Sequence, residues 1–187
     1  MKNIEVEFRS QIDRKIYDRV LKFLLKHGKD LGADDKRVWF FVMPDRLLKV
    51  TNNITKRTGK ITLKLTKIGY GHSFEEIEFP IAETDTQKAI KLFEELGHKY
   101  LVEPIILRHD FKYKGVEVAV KYSKTWGYHL EFEVMVSSKD EESGAESLIR
   151  GTASDLGVEI MNNDELKSFT QNVEETYVNP VNMPKVR

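Results

Sequence analysis

Apolar and charged residues alternate from the start of the chain: Ile4, Val6 and Phe8 fall on one face of a predicted strand, and Glu5, Glu7 and Arg9 fall on the other. Residues 13–27 predict a helix, with Ile16, Val20, Phe23 and Leu24 on one stripe and Gly28 placed to end it. Residues 38–43 predict a largely buried strand that Pro44 stops. Residues 47–51 and 60–66 predict a hairpin about Asn52, Asn53, Thr58 and Gly59, with Lys49, Lys60, Thr62 and Lys64 as its polar set. Alternation returns at residues 74–79, where Glu76 and Glu78 oppose Ile77 and Phe79. Thr84 to Gln87 has the spacing of a capping box ahead of Ala89, Ile90, Phe93 and Leu96, and Gly97 closes that helix. Three more strands follow at residues 104–112, 116–122 and 128–136, joined by turns at Lys114 with Gly115 and at Trp126 with Gly127. Residues 139–146 read as a charged linker. A helix carrying Leu148, Ile149 and Leu156 then runs to Gly157, and a last helix begins near Asn163. The expected organisation is a single domain over residues 1–178 with a loose tail at 179–187.

Seven or eight antiparallel strands, each with one apolar and one charged face, admit two arrangements. In the commoner one the charged faces look into solvent around an ordinary apolar core. In the other the strands close into a barrel whose lumen is wet or holds a charged ligand. A sandwich that buries the charged faces unpaired is excluded by the cost of desolvating them.

Composition narrows the function classes. The chain has 187 residues with 30 Lys plus Arg against 30 Asp plus Glu, so it carries no general basic coat for nucleic acid. One local exception is the run Phe111, Lys112, Tyr113 and Lys114, whose rings and cations could stack and clamp a single strand. The absence of cysteine rules out disulfides, thiolate metal sites and a cysteine nucleophile. No stretch approaches the roughly 20 apolar residues of a membrane span, and the opening residues carry charge where a signal peptide would be apolar. A cytoplasmic monomer or homodimer without membrane contact is expected.

The candidate chemistry lies in three Glu-x-Glu pairs: Glu5 with Glu7, Glu76 with Glu78, and Glu131 with Glu133. Spacing of two places both carboxylates on one strand face, where they can share a hard divalent cation such as Mg2+ or Mn2+. By the same parity Arg9, Lys49, Lys64 and Arg108 share that face, and such cations neutralise phosphate oxygens. Acids to hold a metal beside bases to hold phosphate are what a metal-bound polyphosphate requires. His129, two residues before Glu131, is a candidate base or ligand on the same face, whereas the five histidines show no zinc spacing. Gly69 and Gly71 read as a turn, and no nucleophile elbow is present.

These motifs resemble the CYTH proteins, or triphosphate tunnel metalloenzymes, which include class IV adenylyl cyclases, thiamine triphosphatase and inorganic triphosphatases. The family's opening Glu-x-Glu-x-Lys is matched by Glu5, Glu7 and Arg9. Its Leu-Arg-Ile-Arg strand is matched by LLKVT, with Lys49 kept and Thr51 in the second cationic place. Its Thr-x-Lys strand is matched by Thr62 and Lys64. Glu76 and Glu78 match the next strand, with Phe74 in place of Arg, and Arg108 matches the Lys-x-Arg strand, with Ile106 in place of Lys. Gly127, Glu131 and Glu133 complete the pattern, with Lys121 in place of an Asp. Nearby Lys60, Lys112, Lys114 and Lys121 are the cations available to replace those missing.

The resemblance implies an α+β fold, an eight-stranded antiparallel β-barrel forming a tunnel with helices packed outside. It implies a triphosphate ligand such as ATP, thiamine triphosphate or tripolyphosphate, held with Mg2+ or Mn2+. Glu5, Glu7, Glu131 and Glu133 would be the catalytic acids and metal ligands, with Glu76 and Glu78 a second acidic patch for metal. Arg9, Lys49, Lys64, Arg108 and Lys121 would bind substrate phosphates. The expected activity is metal-dependent phosphoryl or nucleotidyl transfer, and the alternative is a triphosphate- or polyanion-binding module that has lost catalysis. A third arrangement is an empty, salt-bridged tunnel with a purely structural role.

Overall fold

Residues 4–177 are described by the computed structural model. Its strands are β1 (Ile4–Gln11), β2 (Lys29–Ala33), β3 (Lys36–Val42), β4 (Leu47–Asn53), β5 (Thr58–Lys64), β6 (Ser73–Ala82), β7 (Tyr100–Tyr113), β8 (Val116–Ser123) and β9 (Gly127–Val136). Its helices are α1 (Arg14–His27), α2 (Thr86–Glu95), α3 (Glu142–Leu156) and α4 (Asn163–Tyr177). The expected tail at 179–187 lies outside the described residues.

Every strand pairing is antiparallel, in the order β7-β3-β4-β5-β6-β1-β9-β8, and β8 pairs back onto β7 to close the barrel. β2 adds no ninth stave. It lies end to end with β3 along one edge of β7, Lys29 opposite Lys112 and Ala33 opposite His109, then Lys36 opposite Ile106 and Phe41 opposite Tyr100. The barrel therefore has eight staves, as the resemblance implies. β2 escapes the periodicity because it is almost wholly exposed and includes Asp30 and Gly32, which are poor strand formers. Closing the sheet also removes the edges that an open sheet of this size would expose.

The apolar side chains pack outside the barrel wall. Val6, Phe8, Val118, Val120, Leu130 and Phe132 point outward beneath Val20 and Leu24 of α1 and Ile149, Ala153 and Leu156 of α3. On another sector Trp39, Phe41, Leu48 and Val50 meet Ala89, Ile90 and Phe93 of α2. Burying each such Leu, Ile, Val or Phe contributes about 1.5–3 kcal/mol, so these two layers stabilise the barrel without any apolar filling of its lumen. The charged strand faces consequently line the interior. The commoner arrangement allowed by periodicity, charge in solvent around an apolar centre, is overturned because the helices cover the apolar faces from outside.

Several local expectations change with this packing. Phe111 is fully buried in the first layer and Tyr113 packs on Phe23, so neither ring is available to stack a nucleic-acid base. Asp13, expected as the first residue of the helix, instead caps α1 by accepting from the Ile16 amide at 2.7 Å. The capping box at Thr84 does not form: residues 83–85 make a 3-10 turn, α2 starts at Thr86, and no side chain caps either. The expected linker at 139–146 is mostly helix, because Ala145 is buried against the first layer and draws its neighbours into α3. Lys114 and Gly115, with φ of 48° and 87°, turn β7 tightly into β8 with both central residues left-handed. Gly69 has no room for a side chain, since a Cβ there would stand 2.7 Å from the Lys167 Cα of α4. Among the described residues no helix is long and apolar enough to cross a membrane.

Candidate functional site

The lumen is a cavity of about 580 Å³, bordered by the inward residues of all eight staves and by Thr170, Val173 and Glu174 of α4. Strand alternation places its charges. On β1, Glu5, Glu7 and Arg9 turn in while Ile4, Val6 and Phe8 turn out, and β9 sets Glu133 opposite Glu7 and Glu131 opposite Arg9.

Three carboxylates converge. Glu5, Glu7 and Glu133 each offer an oxygen within 4.8 Å of the others. Burial raises the Glu5 carboxyl well above its usual range, reinforced by Glu7 and only partly offset by Lys64. Burial also raises Glu133, with Glu131 and Glu7 adding to it and Arg108 opposing. Burial works against the charge of Glu7 too, yet Arg9 and Lys64 overcome it and hold that carboxyl below its usual range. Crowded carboxylates of this kind, all oxygen donors, match the preference of a hard divalent cation, and these are the residues that could hold one.

Cations interleave with the acids. Lys64 is buried between Glu5, Glu7 at 2.7 Å and Glu76 at 3.0 Å, and its ammonium stands 4.3 Å from the centre of the Phe74 ring. Phe74, which replaces an expected arginine, thus forms a cation–π floor beneath Lys64. Glu131 is shared by three cations: Lys121 at 2.7 Å, Arg9 at 3.1 Å and Arg108 at 3.3 Å. That surplus explains why both partners shift downward. Burial opposes the Glu131 charge, but Lys121, Arg9 and Arg108 hold it well below the usual carboxylate range. For Lys121 burial, with Arg108 and Arg9 nearby, outweighs the attraction of Glu131 and brings it down to about 8.

The remaining sequence candidates divide. Lys49 lines the cavity and its charge reaches Glu76. Glu78 lies apart from the three converging acids, paired with Lys60 at 2.5 Å and accepting from Thr62 at 3.2 Å. Glu76 is likewise engaged by Lys64. Ile106 borders the cavity without replacing the missing charge. Of the possible substitutes, Lys60 and Lys121 face the lumen, whereas Lys114 turns outward to Asp155 at 2.6 Å and Lys112 is exposed. His129 is buried, and its Nδ1 lies 3.0 Å from the Gly127 carbonyl, which can only accept, so Nδ1 carries the hydrogen. Burial and Lys121 push its pKa down to about 3, which makes it a neutral ring with Nε2 free of hydrogen.

Two lumen groups had not been anticipated. Asp34 accepts from Lys36 at 2.7 Å, Lys56 at 2.8 Å and Asn53 at 2.6 Å where β2 gives way to β3. Glu103 of β7 is 1% exposed, and it accepts from the Thr125 amide at 3.1 Å. The only hint of it in the sequence is a single acid within the apolar run from Tyr100 to Leu107.

A family model of the CYTH domain matches residues 3–165. The chain belongs to the CYTH domain family. Solved structures share its fold: the PH1819 protein of Pyrococcus horikoshii OT3 superposes with a TM-score of 0.71 at 23% identity, covering 89% of this chain and 99% of that one. A Hippeastrum protein assigned provisionally as an adenylyl cyclase, and reported to show a dominant triphosphatase activity, gives 0.58 at 15% identity, with 84% and 89% coverage. The Mimivirus capping enzyme triphosphatase gives 0.54 at 13% identity, with 83% and 89% coverage. Comparison with the curated proteins returns no match. The CYTH match ends three residues into α4, so most of the helix that borders the lumen lies beyond it.

Proposed function

We propose that this CYTH protein binds a triphosphate together with Mg2+ or Mn2+ in its tunnel and hydrolyses it, or transfers its nucleotidyl group. The observation that carries this reading is the convergence of Glu5, Glu7 and Glu133 beside Lys64, Arg9 and Arg108 in one enclosed lumen. Glu5, Glu7 and Glu133 would hold the cation, with Glu131, Glu76 and Glu78 turned to the flanking bases. When bound, the cation would supply Lewis-acid polarisation of a phosphoryl oxygen. Lys64, Arg9, Arg108 and Lys49 would orient the phosphates and offset their charge, which is most of what a protein contributes to phosphoryl transfer.

The geometry of Lys121 favours a second reading, tight binding with slow turnover. Its ammonium occupies Glu131 at 2.7 Å and stands where the family carries an acid, so it opposes a second cation there. The test is phosphate release and cyclic-nucleotide formation from ATP, thiamine triphosphate and tripolyphosphate with Mg2+ or Mn2+, alongside binding. Turnover in wild type supports the enzyme. Binding without turnover, rising when Lys121→Asp restores the acid, supports the module. No binding of any of the three ligands overturns both.

A further inference from the structure

Helix α4 borders the lumen although most of it lies beyond the CYTH match, and its contacts reach two sides of the barrel. It begins with a reciprocal cap: the Glu165 amide donates to the Asn162 side chain at 3.0 Å, and the Asn162 amide donates to the Glu165 carboxylate at 2.8 Å. On one side Lys167 stands over the Tyr70 ring, 4.8 Å from its centre, and Glu174 pairs with Lys67 at 2.8 Å, both in the connection after β5. On the other side Phe169 packs against Trp126, in the turn between β8 and β9, with ring centres 4.7 Å apart.

Trp126 links this helix to the charged lumen. The Arg9 guanidinium lies over its ring, 4.7 Å from the centre, and the same guanidinium pairs with Glu7 and, at 3.1 Å, with Glu131. A planar guanidinium stacks on an aromatic face and keeps its in-plane N–H groups for carboxylate or phosphate. Trp126 is itself fixed from several directions: its amide donates to the Ser123 hydroxyl at 3.2 Å, and the Phe169 and His129 rings flank it. The backbone of Arg9 is anchored from the same side, since its carbonyl accepts from the amide of Met161, two residues before α4 begins, at 2.8 Å. Ion pairs alone would leave Arg9 free to move, because the proposed site asks Glu7 to give oxygen to a cation. The ring contact survives that exchange.

We propose that Trp126 is a positioning residue: braced by Phe169, it holds the Arg9 guanidinium beside Glu7 and Glu131, where it meets phosphate, and so makes α4 a working part of the site. The inference rests on the triphosphate reading above and adds to it a residue and a helix that the matched motifs do not assign.

The experiment measures tripolyphosphate affinity by calorimetry, with Mg2+, on the full chain. Trp126→Leu, Trp126→Phe and Phe169→Leu are each made in wild type and in Arg9→Lys, which keeps the charge and loses the planar fork. In wild type Trp126→Leu should weaken binding by about three- to thirtyfold, the range of a partly desolvated cation–π contact. Trp126→Phe, which keeps a ring, should restore most of the loss, and Phe169→Leu should fall between wild type and Trp126→Leu. In Arg9→Lys the same changes should each cost less than about twofold, because the group they position is gone. If Trp126→Leu does not fold, Phe169→Leu in the two backgrounds makes the same comparison. Equal losses in both backgrounds, or none in either, overturn the inference and leave Trp126 a packing residue of the turn. A Trp126→Phe protein as weak as Trp126→Leu overturns it too, since the ring would not be what holds Arg9. Phe169→Leu without effect overturns the part assigned to α4. All of these outcomes leave the triphosphate reading intact, whereas wild type that binds no tripolyphosphate overturns that reading and this inference together.

Discussion

Phe132 and its neighbours Glu131 and Glu133 share one strand but serve opposite sides of one wall. Phe132 is fully buried in the outer layer beneath α1 and α3, while the two acids face the lumen. Outside, the contacts are apolar, interchangeable in kind and sufficient to stabilise the fold. Inside, they are ionic, specific in geometry and of little net benefit to stability, because desolvation offsets most of the attraction. Separating the two by a single step along the chain lets the inner face carry charge at a density that a conventional core would not tolerate. The same contrast recurs at β3 and β4, where Trp39, Phe41, Leu48 and Val50 face α2 while Lys49, Thr51 and Asn53 face the lumen.

If that division holds, changes on either side should be distinguishable by what they disturb. The largest effect expected is Phe132→Ala, a loss of about 3–5 kcal/mol in urea denaturation, with triphosphate affinity of the remaining folded protein unchanged. Within the lumen Glu131→Gln should approach the same loss, about 3–5 kcal/mol, because it strips three buried cations of their shared partner. A Glu131→Gln protein as stable as wild type would mean that the inner ion pairs are solvated and the contrast is overstated.

Tripolyphosphate with Mg2+ at a hundredfold excess over Kd should add about 2.7 kcal/mol, read as a rise in melting temperature that Glu133→Gln sharply reduces. Without ligand, Glu133→Gln should do the reverse of Glu131→Gln and stabilise the fold slightly, since it relieves a carboxylate that burial and its acidic neighbours already disfavour. Destabilisation by Glu133→Gln would place that acid among the paired ones.

The last effect concerns pH. The Glu103 carboxyl is raised from 4.5 to about 7 by burial, so the folded state holds its proton more tightly than the unfolded chain. Its contribution to stability is full below pH 4.5 and is lost as the pH rises through 7. The melting temperature of Glu103→Gln minus that of wild type should therefore grow between pH 5 and 8, by the equivalent of about 2–3 kcal/mol at most, at about 1.4 kcal/mol per pKa unit. A flat difference would show that Glu103 titrates as it does in the unfolded chain.

Parity made much of this architecture legible. Alternation identified which residues share a face, and the Glu-x-Glu pairs with Arg9, Lys64 and Arg108 reach one lumen as that parity requires. What alternation could not decide is which face turns inward, because a charged strand face reads the same against water as against a tunnel. The motif resemblance resolved it. Glu103 escaped because an acid among Tyr100, Leu101, Val102, Ile105, Ile106 and Leu107, followed by Pro104, reads as a strand boundary instead of a lumen position. The division of labour among acids was also out of reach, since it depends on which cation leans toward which carboxylate. Lys121 choosing Glu131 is a matter of three strands meeting, and no single segment encodes it.

The seam between β1 and β9 has a consequence for how the molecule comes into being. Glu5 and Glu7 lie on the first strand and Glu133 on the last, joined edge to edge with Ile4 opposite Val136, so the whole chain from Gln11 to Gly127 must be made before the three acids can meet. Pairings this distant in sequence are characteristic of slow folding, on the scale of milliseconds to seconds. Synthesis at about 5–20 residues per second leaves β1 waiting for its partner for many seconds, with Val6 and Phe8 uncovered. Assembly of the acid cluster thus coincides with the final closure of the barrel, and a chain stalled short of β9 has neither the seam nor the site.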